Sequence, residues 1–232
     1  MRVDMWSDLV CPWCYIGKRR FDRALAAFTD RTWSPASAPA RTPGSDSAGH
    51  AVSIIHRAFQ LDATMPQGQL FRHRDVLMRK YRMSEAQVAA AQTRLEKLAA
   101  DEGLEYHLAE VKTGNTLDAH RLVQFAGEQG NQDAVIERFF RAHFTEGRSL
   151  FDNASLVALA EEAGLEGARD LLTSNRYAEQ VIADHQEANA LGANGVPFFV
   201  LDKRYGISGA QPTDVFVDAL RRASDDAATP RS

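Results

Sequence analysis

Cysteine is almost missing from this sequence: 232 residues contain two, and both fall in the stretch VCPWCY, residues 10 to 15. That excludes a disulfide-stapled scaffold, and a hydrophobic content of 44% is enough for a core without covalent help. An excess of positive charge is missing too. Against 27 Lys and Arg stand 31 Asp and Glu, a net charge of −4, which leaves no electrostatic footprint for nucleic acid. The two basic stretches, GKRRFDR (17–23) and FRHRDVLMRKYR (71–82), are short and read as solvated helix faces. No apolar run is long enough to span a membrane, and MRVDMWSDLV at the start lacks the apolar run and small-residue cleavage site of a secretory signal. These absences predict a cytoplasmic protein with neither nucleic acid nor membrane as partner. In that compartment a C-x-x-C pair is more often catalytic or metal-binding than structural.

The pattern along the chain places the pair. RVDMWSDLV reads as a strand over residues 2–6 followed by a short loop, and Phe21, Leu25 and Phe28 then recur at the spacing of one helix face. The cysteines therefore lie where a strand hands over to a helix. Residues 32–50, rich in Pro, Ala, Ser and Gly, predict a poorly ordered surface loop, and residues 50–62 return as a β-rich segment. From 72 to 190 the periodicity is helical. Ser84 and Gln87 stand at capping-box spacing, and stripes run through Val88, Leu95, Leu98; Ala119, Leu122, Val123, Ala126; Val135, Phe139, Phe140; and Leu156, Leu159. Three of these helices begin at an Asn, and together they predict a bundle. VPFFVLDKRYGISG then reads as a hairpin around Asp202 and Lys203. A last helix follows with Val215, Ala219 and Leu220 inward, and SDDAATPRS (224–232) reads as a frayed tail. Without the helical middle the order is β, α, β, then β, β, α: a four-strand mixed α/β sheet interrupted by an inserted bundle. The segments are 1–71, 72–190 and 191–232.

With Cys11 as the helix N-cap, Pro12 falls at the first helical position, where its fixed φ suits the turn and its missing N–H costs nothing. A capping sulfur accepts hydrogen bonds from the N–H groups of Trp13 and Cys14 and feels the helix dipole, so the Cys11 thiolate is favoured. Lys18, Arg19 and Arg20 would add to this and Asp8 would oppose it. Cys14, one turn inside, should titrate higher, which makes Cys11 the attacking thiol and Cys14 the resolving one. A zinc site needs roughly four ligands, and two thiols with no His among the first 49 residues do not supply them. Haem attachment fails because Tyr15 stands where C-x-x-C-H needs His. Far along the chain, NGVPFFV puts Val196 and Pro197 at the entrance to a strand, where an X-Pro bond adopts the cis form at low cost and a pre-proline backbone can pair with an extended substrate.

WSDLVCPWCYIGKRRF, NTLDAHRL, GVPFFVLD and SGAQP together resemble the DsbA-like thioredoxin-fold oxidoreductases of the FrnE type, in the same order over most of the chain. The resemblance implies a thioredoxin fold with an inserted α-helical domain, Cys11 and Cys14 as the redox pair around Pro12 and Trp13, and Val196 before a cis-Pro197. It also implies that Asn115, His120 and Gln211 face the same cleft. Two departures stand out: the 32–50 segment lies where the family's second strand normally begins, and the second cysteine pair of some members is missing, so electron transfer between two internal pairs is excluded. The expected activity is thiol–disulfide exchange with protein or small-molecule substrates, using no metal and no cofactor beyond the redox-active disulfide, with glutathione as a candidate co-substrate. Two alternatives stay open: a glutathione-dependent transferase or isomerase of the kappa-class or 2-hydroxychromene-2-carboxylate type, and a peptide-binding or chaperone module.

Overall fold

In the computed structural model, which describes residues 1–29 and 52–228, strand β1 (Arg2–Ser7) is buried on both faces. It lies at the centre of a four-stranded sheet of order β2-β1-β5-β6, parallel to β2 (Ser53–Ala58) and antiparallel to β5 (Phe198–Leu201), with β6 (Tyr205–Ser208) at the edge. The β5–β6 hairpin turns through Asp202 and Lys203, both at positive φ (46° and 57°). Asp202 Oδ1 accepts the Arg2 N–H at 2.6 Å, which ties this turn to the start of β1.

Helix α1 (Pro12–Thr29) packs against α9 (Thr213–Ala228) over one face of the sheet, around Val3, Met5, Phe21, Phe199, Phe216 and Leu220. On α9 Leu220 is buried and Ala219 half-buried as expected, but Phe216 and Val217 are buried where Val215 was expected, and Val215 is 41% exposed. Helix α9 also continues to Ala228, holding Ala223 and Ser224 against the core, so the fray expected from residue 224 does not occur there. The loop expected at 32–50 lies outside the described residues.

The chain between β2 and β5 forms the helical layer: α2 (His73–Tyr81), α3 (Glu85–Asp101), α4 (Leu117–Glu128), α5 (Gln132–Phe144), α6 (Asn153–Glu162), α7 (Ala168–Leu172) and α8 (Ala178–Ala190). Their shared core holds Leu122, Phe139, Phe140, Leu156 and Leu159. The capping box at Ser84 and Gln87 forms, whereas Asp152, not Asn153, caps α6 by accepting the Ser155 N–H at 2.9 Å. A short ribbon, β3 (Phe71–Arg72) paired with β4 (Lys112–Thr113), was not legible in so few residues. No described helix is long and apolar enough to cross a membrane.

The two cores meet inside one helix. The first turn of α1, Cys14 to Ile16, packs into the helical-layer core, while Phe21 and Ala24 two turns on pack into the sheet core. The cysteine pair thus sits at the seam between the layers.

Candidate functional site

The loop Asp8–Val10 delivers Cys11 to the start of α1, and its geometry is set by Asp8. The Asp8 carbonyl accepts the Cys11 N–H at 3.0 Å. Its carboxylate accepts the Leu61 N–H at 2.7 Å and the Val10 N–H at 3.4 Å. Tyr106, reaching in from the helical layer, donates its hydroxyl to the Pro12 carbonyl at 2.8 Å and stacks on Phe144 with centroids 4.8 Å apart. Tyr15 stacks on Phe140 and donates to Glu137 at 2.6 Å. Both hydroxyls are pushed up by burial, so they stay protonated donors.

Cys11 and Cys14 are both free thiols. Cys11 retains 4% exposure and Cys14 none. The Cys11 sulfur lies 3.5 Å from the Val196 carbonyl oxygen, to which it donates. The expected bonds from the Trp13 and Cys14 N–H groups to this sulfur are not among the described contacts; the Cys14 N–H goes to the Cys11 carbonyl at 3.0 Å instead. Burial pushes the Cys14 thiol well up, and the hydrogen bond to Cys11 and the negative charges of Cys11 and Asp8 push the same way.

The basic residues of α1 do not serve the thiols, and they are not a solvated face either. Lys18 is buried; burial works against its charge, but Asp22 at 2.9 Å and Asp133 at 3.0 Å raise its pKa. Arg19 bonds Glu137 at 2.6 Å, and Arg20 bonds Glu102 at 2.6 Å and the Ala210 carbonyl at 2.7 Å. Apart from Asp22, one turn further along α1, these partners come from the helical layer and the β6–α9 loop, so the cations fasten α1 in place. The second basic stretch does form an exposed helix: α2 carries no buried residue.

Beside the Asp8–Val10 loop opens a shallow cleft lined by Asp8, Val10, Leu61, Met65, Val76 and Tyr81 among others, with neither cysteine in its wall. It runs between the Cys11 loop and α2. Trp13 stands 42% exposed between the two cysteines in sequence, and Leu61 and Tyr81 are exposed at 40% and 59%.

The remaining residues singled out from the sequence lie as follows. Pro12 is half-buried at the first position of α1. The Val196–Pro197 bond is cis, Val196 is half-buried beside Cys11, and the Pro197 carbonyl accepts the Gly209 N–H at 2.8 Å. Asn115 itself does not line the cleft, although Gly114 and Thr116 on either side do: its Nδ2 donates to the Met65 carbonyl at 2.6 Å and its Oδ1 accepts the Leu117 N–H at 2.9 Å. Gln211 bonds the Ser208 carbonyl at 2.8 Å and does not line the cleft. His120 is buried at 2% exposure behind the cleft, with Nε2 3.5 Å from Asp8 Oδ1. Tyr106 and the α2 side chains were not found from the sequence, because no local pattern marks a residue that meets Cys11 only through the fold. Asp8, three residues before Cys11, was noticed only as a charge.

A central β1 with its dithiol at the head of α1, beside a strand entered through a proline, defines a thioredoxin-fold protein with an inserted helical layer. The chain belongs to the DsbA-like family: the model described as DSBA-like thioredoxin domain matches residues 2–221. It is similar to the probable DsbA oxidoreductase SCO1869 of Streptomyces coelicolor, 43% identical, with a TM-score of 0.86 over 100% of this chain and 93% of that one. A 2-hydroxychromene-2-carboxylate isomerase shares the fold at 16% identity, with a TM-score of 0.69 over 100% of both chains. So does the cytosolic disulfide reductase DsbM of Pseudomonas aeruginosa, solved with GSH, at 19% identity and a TM-score of 0.61 over 96% of this chain and 98% of that one.

Proposed function

We propose that the protein is a thiol–disulfide oxidoreductase that cycles a Cys11–Cys14 disulfide. The observation that carries this reading is the division of labour in the pair: Cys11 lies at the seam against the Val196 carbonyl, directly after Val10 of the cleft wall, while Cys14 is fully buried with its thiol held protonated. The Cys11 thiolate attacks a substrate disulfide, forming a mixed disulfide and releasing one substrate thiolate. Cys14 then attacks the Cys11 sulfur, the Cys11–Cys14 bond forms, and the second substrate thiolate leaves. The substrate gains two electrons and the protein loses two, so a thiol such as glutathione must reduce the pair for another turn. Run backwards, the same steps oxidise a dithiol, and the reduction potential sets the direction.

Trp13, Val196 and Pro197 form the substrate edge in this reading, and the mixed polar and apolar cleft beyond Val10 takes the substrate's neighbouring groups. The FrnE-type assignment and a cytoplasmic location remain part of the proposal, and the cytosolic DsbM neighbour accords with the location. A second reading, a glutathione-dependent isomerase or transferase, is favoured by the isomerase and GSH-bound neighbours on this fold. The presence of Cys14, which such chemistry does not need, counts against it.

Reduction of insulin disulfides by dithiothreitol tests the proposal, comparing the parent with Cys11→Ser and Cys14→Ser. The parent should accelerate precipitation and Cys11→Ser should not. An inactive parent with both thiols free would refute exchange on protein disulfides, and full turnover of Cys14→Ser with glutathione would favour the second reading.

A further inference from the structure

Closing the Cys11–Cys14 bond requires the buried Cys14 sulfur to stay aimed at Cys11, and what joins the two is the main chain of Pro12 and Trp13. The proline ring fixes φ at Pro12 and leaves ψ, the rotation that swings its carbonyl. Trp13 stands 42% exposed, so its side chain anchors little of the turn. Helix ends fray, and here the fraying end is the reacting one. The Pro12 carbonyl, however, accepts the Tyr106 hydroxyl at 2.8 Å. Tyr106 belongs to the helical layer, between α3 and α4; it is 5% exposed, and its ring stacks on Phe144 at 4.8 Å and on Tyr15 at 6.1 Å between centroids. No other side chain from outside the C-x-x-C stretch bonds its main chain among the described residues. The charges of Cys11 and Cys14 both act on this hydroxyl, so it lies within electrostatic reach of the pair.

We propose that Tyr106 is a positioning residue for the second step of the exchange: its hydroxyl fixes the Pro12 carbonyl to the helical layer and so keeps Cys14 at a high effective concentration towards Cys11. This inference rests on the oxidoreductase reading. As Cys14 attacks, the S–S bond to Cys11 forms, the bond from Cys11 to the substrate sulfur breaks with its electron pair going to that sulfur, and the Cys14 proton ends on the departing thiolate. Tyr106 exchanges no proton and no electron in this step. It removes a rotation that would otherwise have to be frozen each time the ring closes, and such preorganisation favours an intramolecular step over its intermolecular competitor. The first step, attack of Cys11 on an incoming disulfide, closes no ring and does not draw on it.

The test compares the parent with Tyr106→Phe, which keeps the ring and its stacking and removes only the hydroxyl. Equilibration in glutathione buffers of graded ratio, followed by acid quench and alkylation, measures the constant for dithiol plus glutathione disulfide going to internal disulfide plus two glutathiones. Tyr106→Phe should lower that constant about five-fold, the size of one lost hydrogen bond, which is about 20 mV towards a more oxidising disulfide. In stopped-flow reaction with one equivalent of the chromogenic disulfide dithiobis(nitrobenzoate), the first released thiolate reports Cys11 attack and should appear within about two-fold of the parental rate. The second reports closure by Cys14 and should appear about five-fold more slowly. Tyr15→Phe, which removes the neighbouring hydroxyl bonded to Glu137, should change neither the constant nor the second phase. An unchanged constant in Tyr106→Phe, a shift towards a more reducing disulfide, two phases slowed alike, or an equal change in Tyr15→Phe would overturn the assignment. A parent that forms no internal disulfide at any buffer ratio would instead overturn the oxidoreductase reading itself.

Discussion

Gly17, in the second turn of α1, passes so close to Pro197 that a Cβ at this position would stand 2.7 Å from the proline Cγ and 3.4 Å from the Ala210 Cβ. The contact sets how near the cysteine helix lies to the start of β5. Both neighbours are ring or backbone-borne atoms that yield little, so Gly17→Ala must push α1 and Pro197 apart. The expected cost is about 1–3 kcal/mol of stability, as for other overpacked sites. Exchange activity should fall with it, since the Cys11–Val196 contact at 3.5 Å opens at the same time. Urea unfolding with the insulin assay on the same preparation checks both.

Asp184 of α8 is the buried joint between the sheet and the helical layer. Its carboxylate accepts from Arg57 at 2.8 Å, from the Ala58 N–H at 3.0 Å and from Gln124 at 2.5 Å, and its carbonyl accepts from the Trp6 indole at 2.8 Å. Burial pushes its pKa up, and the Ala58 N–H and the Arg57 charge pull it back. Asp184→Ala leaves the Ala58 N–H and the Gln124 amide without their partner and leaves Arg57 with Asp4 alone, at 3.0 Å, a loss of about 3 kcal/mol, at the low end for a broken buried pair. Denaturant titration should show it, and Leu at this position should do no better.

His143 makes the fold acid-sensitive. It is fully buried on α5 between Phe144 and Phe151, its Nε2 has no partner among the described residues, and burial lowers its pKa to about 3. The unfolded chain binds this proton near the ordinary value of about 6.5. The folded state does not until far lower, so the stability contributed by a neutral His143 is complete above the unfolded pKa and lost as pH falls below it. From pH 7 to pH 5 that loss is about 2 kcal/mol. His143→Leu sacrifices no hydrogen bond at Nε2 and should flatten the dependence in this window, as followed by thermal melts across pH.

Much of this fold was legible because its signals are local. The β1-to-α1 handover, the hairpin at Asp202 and Lys203, and the capping box at Ser84 each depend on a few neighbouring residues whose backbone preferences agree with the final structure. The apolar stripes of α4, α5 and α6 likewise name the residues that build the helical core. The surroundings of the cysteines were far less legible. That Lys18 is buried against Asp133 of another helix, that Tyr106 holds the Pro12 carbonyl and that His120 faces Asp8 are consequences of packing between distant segments, and no window of sequence contains both partners. On α9 the stripe named Leu220 and Ala219 but missed at Val215: Val215, Phe216 and Val217 are all apolar, so the start of the stripe could be drawn with either register.

The central claim, a two-electron cycle between Cys11 and Cys14, is tested most directly by equilibrating the protein in glutathione buffers of graded potential, quenching with acid, alkylating under denaturing conditions and weighing the products. The account predicts one transition from two alkylated thiols to none, with a Cys11–glutathione adduct accumulating only in Cys14→Ser. Thiols that stay free across the whole range, or an adduct that persists with Cys14 present, would contradict it.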